Sequence, residues 1–173
     1  IYSVLKLLEL SRNLINFLKN KDNCDKLKEE FAHKLYSNKN LENEIRSIFT
    51  ETGEINDNAS TKLREIRNEI REKNFILQKV INRILKELKD ISYVQGDYVT
   101  LNEGRVVLPV KAEHKRHVKG FIHSESATGQ TVYIEPAETL ELNNEILSLS
   151  FAEKREIDRI LTVITKKLSE ISL

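Results

Sequence analysis

DYVTLNEGRVVLPVKAEHKRHVKGFIHSESATGQTVYIEP, residues 97–136, decides the fold. It holds both prolines (Pro109, Pro136) and three of the four histidines (His114, His117, His123). It separates two long segments whose apolar residues recur at helical spacing. Apolar and polar residues alternate over 98–101 and 105–111, around the turn Asn102-Glu103-Gly104. They alternate again over 118–123 and 131–135, around 125–130 with Gly129 in the turn. The expected product is an antiparallel module of two to four strands, too small to stand without leaning on helices. Pro109 inside its strand predicts an edge or a bulge, because proline lacks the N–H that a ladder needs.

Working outward, Ala59, Leu63, Ile66, Ile70, Leu77, Val80 or Ile81, Ile84 and Leu88 step by three, four or seven. This is close to a heptad seam, with Asn74 interrupting the stripe. At 1.5 Å per residue, about 33 helical residues reach roughly 50 Å. A return helix follows Pro136, which suits a first helical position. It carries Leu142, Ile146, Leu149, Ile157, Leu161, Ile164, Leu168 and Ile171. The two long helices are expected to pack antiparallel. Their seam sets Leu63, Ile66, Ile70, Leu77, Ile84 and Leu88 against Ile157, Leu161, Ile164 and Leu168.

Upstream, Val4, Leu7, Leu8, Leu14, Ile15 and Leu18 predict an amphipathic helix over 1–20. Asp22 or Asn23 is a candidate cap for a second helix carrying Leu27, Phe31 and Leu35. A third runs from about Leu41 to Phe49. Gly53 then supplies a turn, and Asp57 or Asn58 is the expected N-cap of the first long helix. The organisation read from sequence is mainly α: a helical core portion over 1–56, then a lever over 57–173. The lever comprises helices at 57–91 and 137–173, with the β insert 97–136 at its tip.

The 173 residues are 39% hydrophobic and 32% charged, a composition of soluble, helix-rich proteins. No apolar run approaches the ~20 residues needed to span a bilayer, and the N-terminus is no signal peptide. The single cysteine, Cys24, excludes an internal disulfide framework and suits a reducing cytoplasm. No histidine or basic cluster flanks it, so it reads as a small helix residue and not as a reactive thiol. Beginning at Ile1 and lacking methionine, the chain reads as a piece of a larger protein.

Common catalytic signatures are absent: no GxxxxGK[ST], HExxH, CxxC or GxSxG occurs. His114 and His117 form an HxxH pair near His123, but zinc needs four ligands and no cysteine lies nearby. Ser124, Ser126 and Thr128 read as turn formers, having no paired base. The better signal is KAEHKRHVKG, which sets Lys111, Lys115, Arg116 and Lys119 against one acid, Glu113. Phosphates attract such residues by charge and counterion release, whatever the base sequence. A solvated loop kept charged for solubility accounts for the same residues equally well. The first long helix is also basic, with nine Lys/Arg against four Glu over 62–89. Part of that charge is expected to be matched within the helix, as by Glu69 and Lys73 at i,i+4.

Several blocks together resemble the second bacterial MutS paralogue family, MutS-two. They are GEINDNAS with LREIR at 53–67, GRVVLPVKAE at 104–113, GFIHSESATGQTVYIEP at 120–136, LNNEIL at 142–147 and EIDRIL at 156–161. They occur in order over about two thirds of the chain. The resemblance implies the core and lever region of a MutS-like protein, a non-catalytic part lying between an N-terminal portion and an ATPase. It implies that the full protein is a cytoplasmic, homodimeric ATPase using ATP and Mg, with a C-terminal Smr endonuclease domain. The implied partner is branched or duplex DNA, engaged in DNA repair and suppression of recombination. A ribosome-binding arm contacting rRNA in rescue of collided ribosomes is the alternative, as is a spacer or dimerisation element. No cofactor, metal or membrane contact is expected of this piece itself. Lys111, Lys115, Arg116 and Lys119 are nucleic-acid candidates by charge and position.

Overall fold

A computed structural model describes residues 1–21, 25–32 and 34–171. Asp22, Asn23 and Cys24, the expected caps and the lone thiol, lie outside the described residues. The described helices are α1 (Tyr2–Lys19), α2 (Asp25–Leu27), α3 (Lys39–Ile48), α4 (Thr61–Asp90) and α5 (Leu140–Ile171). Between the last two lie β1 (Thr100–Asn102), β2 (Arg105–Lys111), β3 (Gly120–Glu125) and β4 (Thr131–Pro136). The protein is mainly α with one small antiparallel sheet, as the sequence predicts. Two compact units divide it: Ile1–Arg64 with Arg155–Leu173, and Glu65–Lys154. The division therefore cuts through both long helices, where the sequence suggests a boundary near residue 56.

In the first unit, Leu5 and Leu8 of α1 pack with Leu41, Ile45 and Ile48 of α3, Leu63 of α4, and Ile160 and Ile164 of α5. Asn38 caps α3, its Oδ1 accepting from the Leu41 N–H at 3.1 Å. Gly53 turns the chain at φ +87, a left-handed conformation that glycine adopts without strain. The cap of α4 is Ser60, whose Oγ accepts from the Leu63 N–H at 2.9 Å. The expected Asp57 and Asn58 instead belong to a short 3₁₀ turn, Asp57–Ala59, capped by Asn56.

Among the described residues of this unit, two carboxylates are buried. Glu42 accepts from Arg12 Nε at 2.9 Å and Arg46 Nη2 at 2.9 Å. Glu156 accepts from Arg159 Nη2 at 2.7 Å and Ser60 Oγ at 2.8 Å. The Arg159 guanidinium, with help from Ser60, holds the Glu156 carboxyl down at about 2 against the opposing effect of burial.

The second unit contains the sheet, in the order β1-β2-β4-β3 with every neighbour antiparallel. Residues paired across strands share a face, so Val106, Leu108, Val110, Val132 and Ile134 line one side. That side packs on Leu77, Ile81, Ile84 and Leu88 of α4 and Ile146 of α5. On the opposite face, Asn102 Nδ2 donates to Ser124 Oγ at 2.7 Å. These residues belong to the two outer strands, which a flat sheet would hold about 14 Å apart. The sheet therefore curls until its edges meet.

Pro109 lies beyond the reach of β1, whose pairing ends at Val107. Its carbonyl accepts from the Gln95 N–H at 2.8 Å, so the missing N–H faces residues 93–95 and not the β4 ladder. The expected edge exists locally, inside a strand that is central elsewhere.

A polar cluster ties the sheet to α5. Glu135 has no exposed surface. Its Oε1 accepts from Arg105 Nη1 and Asn143 Nδ2, both at 2.8 Å, and its Oε2 meets His123 Nε2 at 2.6 Å. His123 reaches it from a β-bulge, where Ile122 pairs with Ile134 but Ser124 pairs with Tyr133. Asn143 Oδ1 also accepts from the Val106 N–H at 3.1 Å, and its Nδ2 approaches the Val106 carbonyl at 3.3 Å. The side-chain amide thus completes the β2 backbone pairing where β4 ends in Pro136. Pro136 itself caps a 3₁₀ turn, Ala137–Thr139, one turn ahead of α5 and not at its first position.

Two stability outcomes follow from these buried groups. Glu156, depressed below its usual value of 4.5, stabilises the fold above that pH and loses this contribution as pH falls toward about 2. The gap in urea midpoint between wild type and Glu156→Gln should be widest above about pH 5 and close below it; a gap independent of pH would reject this role. Replacing Asn143 by Leu should cost about 1–3 kcal/mol for each buried group left without a partner. Asn144→Ala, removing only an exposed contact to Arg105, should stay within about 0.5 kcal/mol. Equal urea midpoints for the two variants would show that the Asn143 amide is dispensable.

Candidate nucleic-acid interface

β2 and β3 each run antiparallel to β4, so they are parallel to each other. Parallel strands cannot be joined by a hairpin, and residues 112–119 must travel the length of the sheet to connect them. Lys111 is opposite Thr131 at the start of β4, while the Ala137 N–H donates to Lys119 O at 3.0 Å beyond its end. Six residues of strand and two strand spacings separate these ends, about 20 Å. The basic segment is a strap and not a compact turn.

The strap is fastened along its course. The Ala112 N–H donates to Gln130 O at 2.9 Å, and Val118 is buried in the core under the sheet. The rings of Tyr93 and His114 stack with centroids 4.1 Å apart, and His117 lies tilted against Tyr93 at 5.5 Å. The HxxH pair thus packs on an aromatic ring. Among the described residues, no group of three or more His, Cys, Asp and Glu side chains could hold a metal ion. Ser126 shapes the β3–β4 turn, its Oγ accepting from the Thr131 N–H at 3.1 Å. Ser124 closes the sheet edge onto Asn102.

This path distributes the four candidate cations. Lys111 and Lys115 sit toward the β3–β4 turn, Lys115 Nζ lying 3.5 Å from Glu125 Oε1. Arg116 is exposed further along the strap, and Lys119 is exposed at the far end. Among the described residues, Lys111, Arg116 and Lys119 form no ion pair.

The basic character of α4 has a different fate. Arg67 pairs with Glu153 at 2.7 Å, Lys73 with Glu145 at 2.8 Å and Arg83 with Glu138 at 2.6 Å. Lys89 pairs with Asp97 at 2.5 Å. The hydrogen bond that Lys73 donates to Glu145 raises the Lys73 pKa, with a smaller contribution from Glu69, the partner expected at i,i+4. Ascending numbers on α4 meet descending numbers after β4, the signature of antiparallel helices.

Seam residues fall in three environments. Leu63 and Ile164 are in the first unit's core, and Leu77, Ile84 and Leu88 in the second's. Ile66 is buried, while Ile157 and Leu168 pack partly against the first core. Ile70 and Leu161 are half-buried outside both clusters, and Ile160 occupies the core position nearest Leu161. Leu161 instead lines an open groove with Asp158, Thr162 and Thr165. Asn74 interrupts the α4 stripe by turning its Nδ2 back to Ile70 O at 2.9 Å. Among the described residues, no helix is long and apolar enough to cross a membrane.

No protein-family model matches the chain. Curated relatives do. It is 38% identical over 169 residues to "Endonuclease MutS2" of Clostridium botulinum (strain 657 / Type Ba4), covering 98% of this chain and 21% of the relative. Identity is 41% to the protein of the same name from C. botulinum (strain Alaska E43 / Type E3), covering 95% and 21%. It is 34% to that from Clostridioides difficile (strain 630), again covering 95% and 21%. The chain spans about a fifth of the length of the curated relatives it matches. Similarity along nearly its whole length, with the sheet and long helices in the order that the sequence blocks imply, makes this chain a member of the MutS2 family.

Proposed function

We propose that this segment is a non-catalytic arm of a MutS2 protein whose β module touches nucleic-acid backbone through Lys111, Lys115 and Arg116. The supporting observation is a contrast in pairing: Arg67, Lys73, Arg83 and Lys89 of α4 are held by acids within the unit, while among the described residues Lys111 and Arg116 form no ion pair and Lys115 only a long one, 3.5 Å to Glu125. Phosphate oxygens are the partner such charges lack. DNA is the ligand we favour, as the resemblance to MutS-like proteins implies. In this reading ATP, Mg and any nuclease chemistry belong to other parts of the protein. The paired helices α4 and α5 couple backbone contact to nucleotide hydrolysis there.

Binding to labelled branched DNA, plain duplex and ribosomal subunits at two salt concentrations tests the contact. Lys115→Glu/Arg116→Glu should weaken DNA binding about tenfold or more and reduce the salt slope by about 2. Lys119→Glu, at the other end of the strap, should act less. Unchanged binding in the double variant would refute the contact, and a preference for ribosomal subunits would make rRNA the ligand. For the coupling, Arg67→Ala/Lys73→Ala in the full-length protein should lower DNA stimulation of ATP hydrolysis while leaving basal hydrolysis intact. Undiminished stimulation would exclude a relay through this helix pair.

A further inference from the structure

At the end of the sheet that carries Lys111 lies an open groove of about 440 Å³, lined by Gln95, Lys111, Ala112, Glu113, Gly129 and Gln130. Its size falls within the range of small-ligand sites. Backbone bonds stitch its walls together. The Gln95 N–H donates to Pro109 O at 2.8 Å, the Lys111 N–H to Tyr93 O at 2.9 Å, and the Ala112 N–H to Gln130 O at 2.9 Å. Gly129, at φ +69, allows the β3–β4 turn to close beside them. The side chains therefore project from a fixed frame, which lowers the ordering cost of binding.

Their chemistry does not suit phosphate alone. Glu113 is largely exposed and would repel an anion; its Oε1 lies 3.4 Å from His114 Nε2. The side-chain amides of Gln95 and Gln130 make no hydrogen bond among the described residues. Two amides, a carboxylate and an ammonium offer donors and acceptors together. A phosphate has use only for the donors, whereas the edge of a nucleobase has use for both. In a duplex the base is held in the stack with its pairing edge occupied, so a base that enters the groove is unpaired.

We infer that this groove seats an unpaired nucleobase, with Glu113 and the two glutamine amides meeting its edge and Lys111 the adjoining phosphate. The inference rests on the nucleic-acid reading above and adds the form of strand recognised. Glu113, as an acceptor, favours bases with an exocyclic amino group, such as cytosine, over thymine.

The test is fluorescence anisotropy of the protein with labelled single strands of equal length and charge: all-dC, all-dT and abasic. The all-dC strand should bind about tenfold tighter than the abasic strand. Gln95→Ala/Gln130→Ala should erase that advantage with the salt slope unchanged, and Glu113→Gln should level dC against dT. Urea midpoints equal to wild type would confirm that these exposed substitutions leave the fold intact. If wild type binds abasic and all-dC strands equally, or the advantage survives in the glutamine variant, the groove does not read a base. In that case a continued loss of binding in Lys115→Glu/Arg116→Glu would leave the backbone contact standing. Absence of salt-dependent binding to every strand would overturn both.

Discussion

A carboxylate with no access to water must be answered by donors, and the β module is arranged around that requirement at Glu135. Left unpaired, such a charge costs several kcal/mol, about 3–5 when one partner of a buried pair is removed. Its partners come from three directions: Arg105 on β2, His123 on β3 and Asn143 on α5. Each anchors a different element to β4. The bulge at His123 serves this need and a second one. Strict alternation would send Ser124 to the core side, but one inserted residue turns it to the Glu135 side, where it meets Asn102. The same insertion therefore satisfies the buried acid and closes the curled sheet.

Topology imposes the next constraint. Placing β4 between β2 and β3 makes the flanking strands parallel, and their connection must cross the sheet. The strap is held by Val118 in the core and by Tyr93 against two histidines, so its outward side chains are set by the fold. A loop of the same composition in a hairpin would gather its charges at one point. Here Lys111 and Lys115 sit toward one end of a path of about 20 Å, and Lys119 lies at the other.

Much of this was legible in the sequence because alternation and helical periodicity are local. β2 begins and ends where the pattern of apolar residues says it should. β3 begins at Gly120 and not at Val118, because Val118 is spent on anchoring the strap. The α5 stripe includes Ile160 while Leu161 turns away, a one-position rotation that a near-regular run of Ile and Leu cannot reveal. The association of Glu135 with His123, Arg105 and Asn143 is not legible in the sequence, because it depends on strand order and a bulge. One trace was visible: Asn143 follows Leu142 and precedes Ile146, a polar residue at helical spacing from the buried Thr139 and Ile146. Such a break in an apolar face signals a buried partner, although it does not say which.

Charge counts mislead for a related reason. By composition α4 is the more basic candidate for a nucleic-acid surface, with nine cations over 62–89. Several of them face acids in or just ahead of α5, and a phosphate would have to displace Glu145 from Lys73 or Glu138 from Arg83 to use them. Displacement returns a carboxylate to the vicinity of the incoming anion, so repulsion offsets most of the gain. Lys111 and Arg116 impose no such exchange. The proposed contact is favoured in the segment with fewer charges because neutralisation, which depends on the fold, falls on Arg67, Lys73, Arg83 and Lys89 and leaves Lys111 and Arg116 without an ion pair among the described residues.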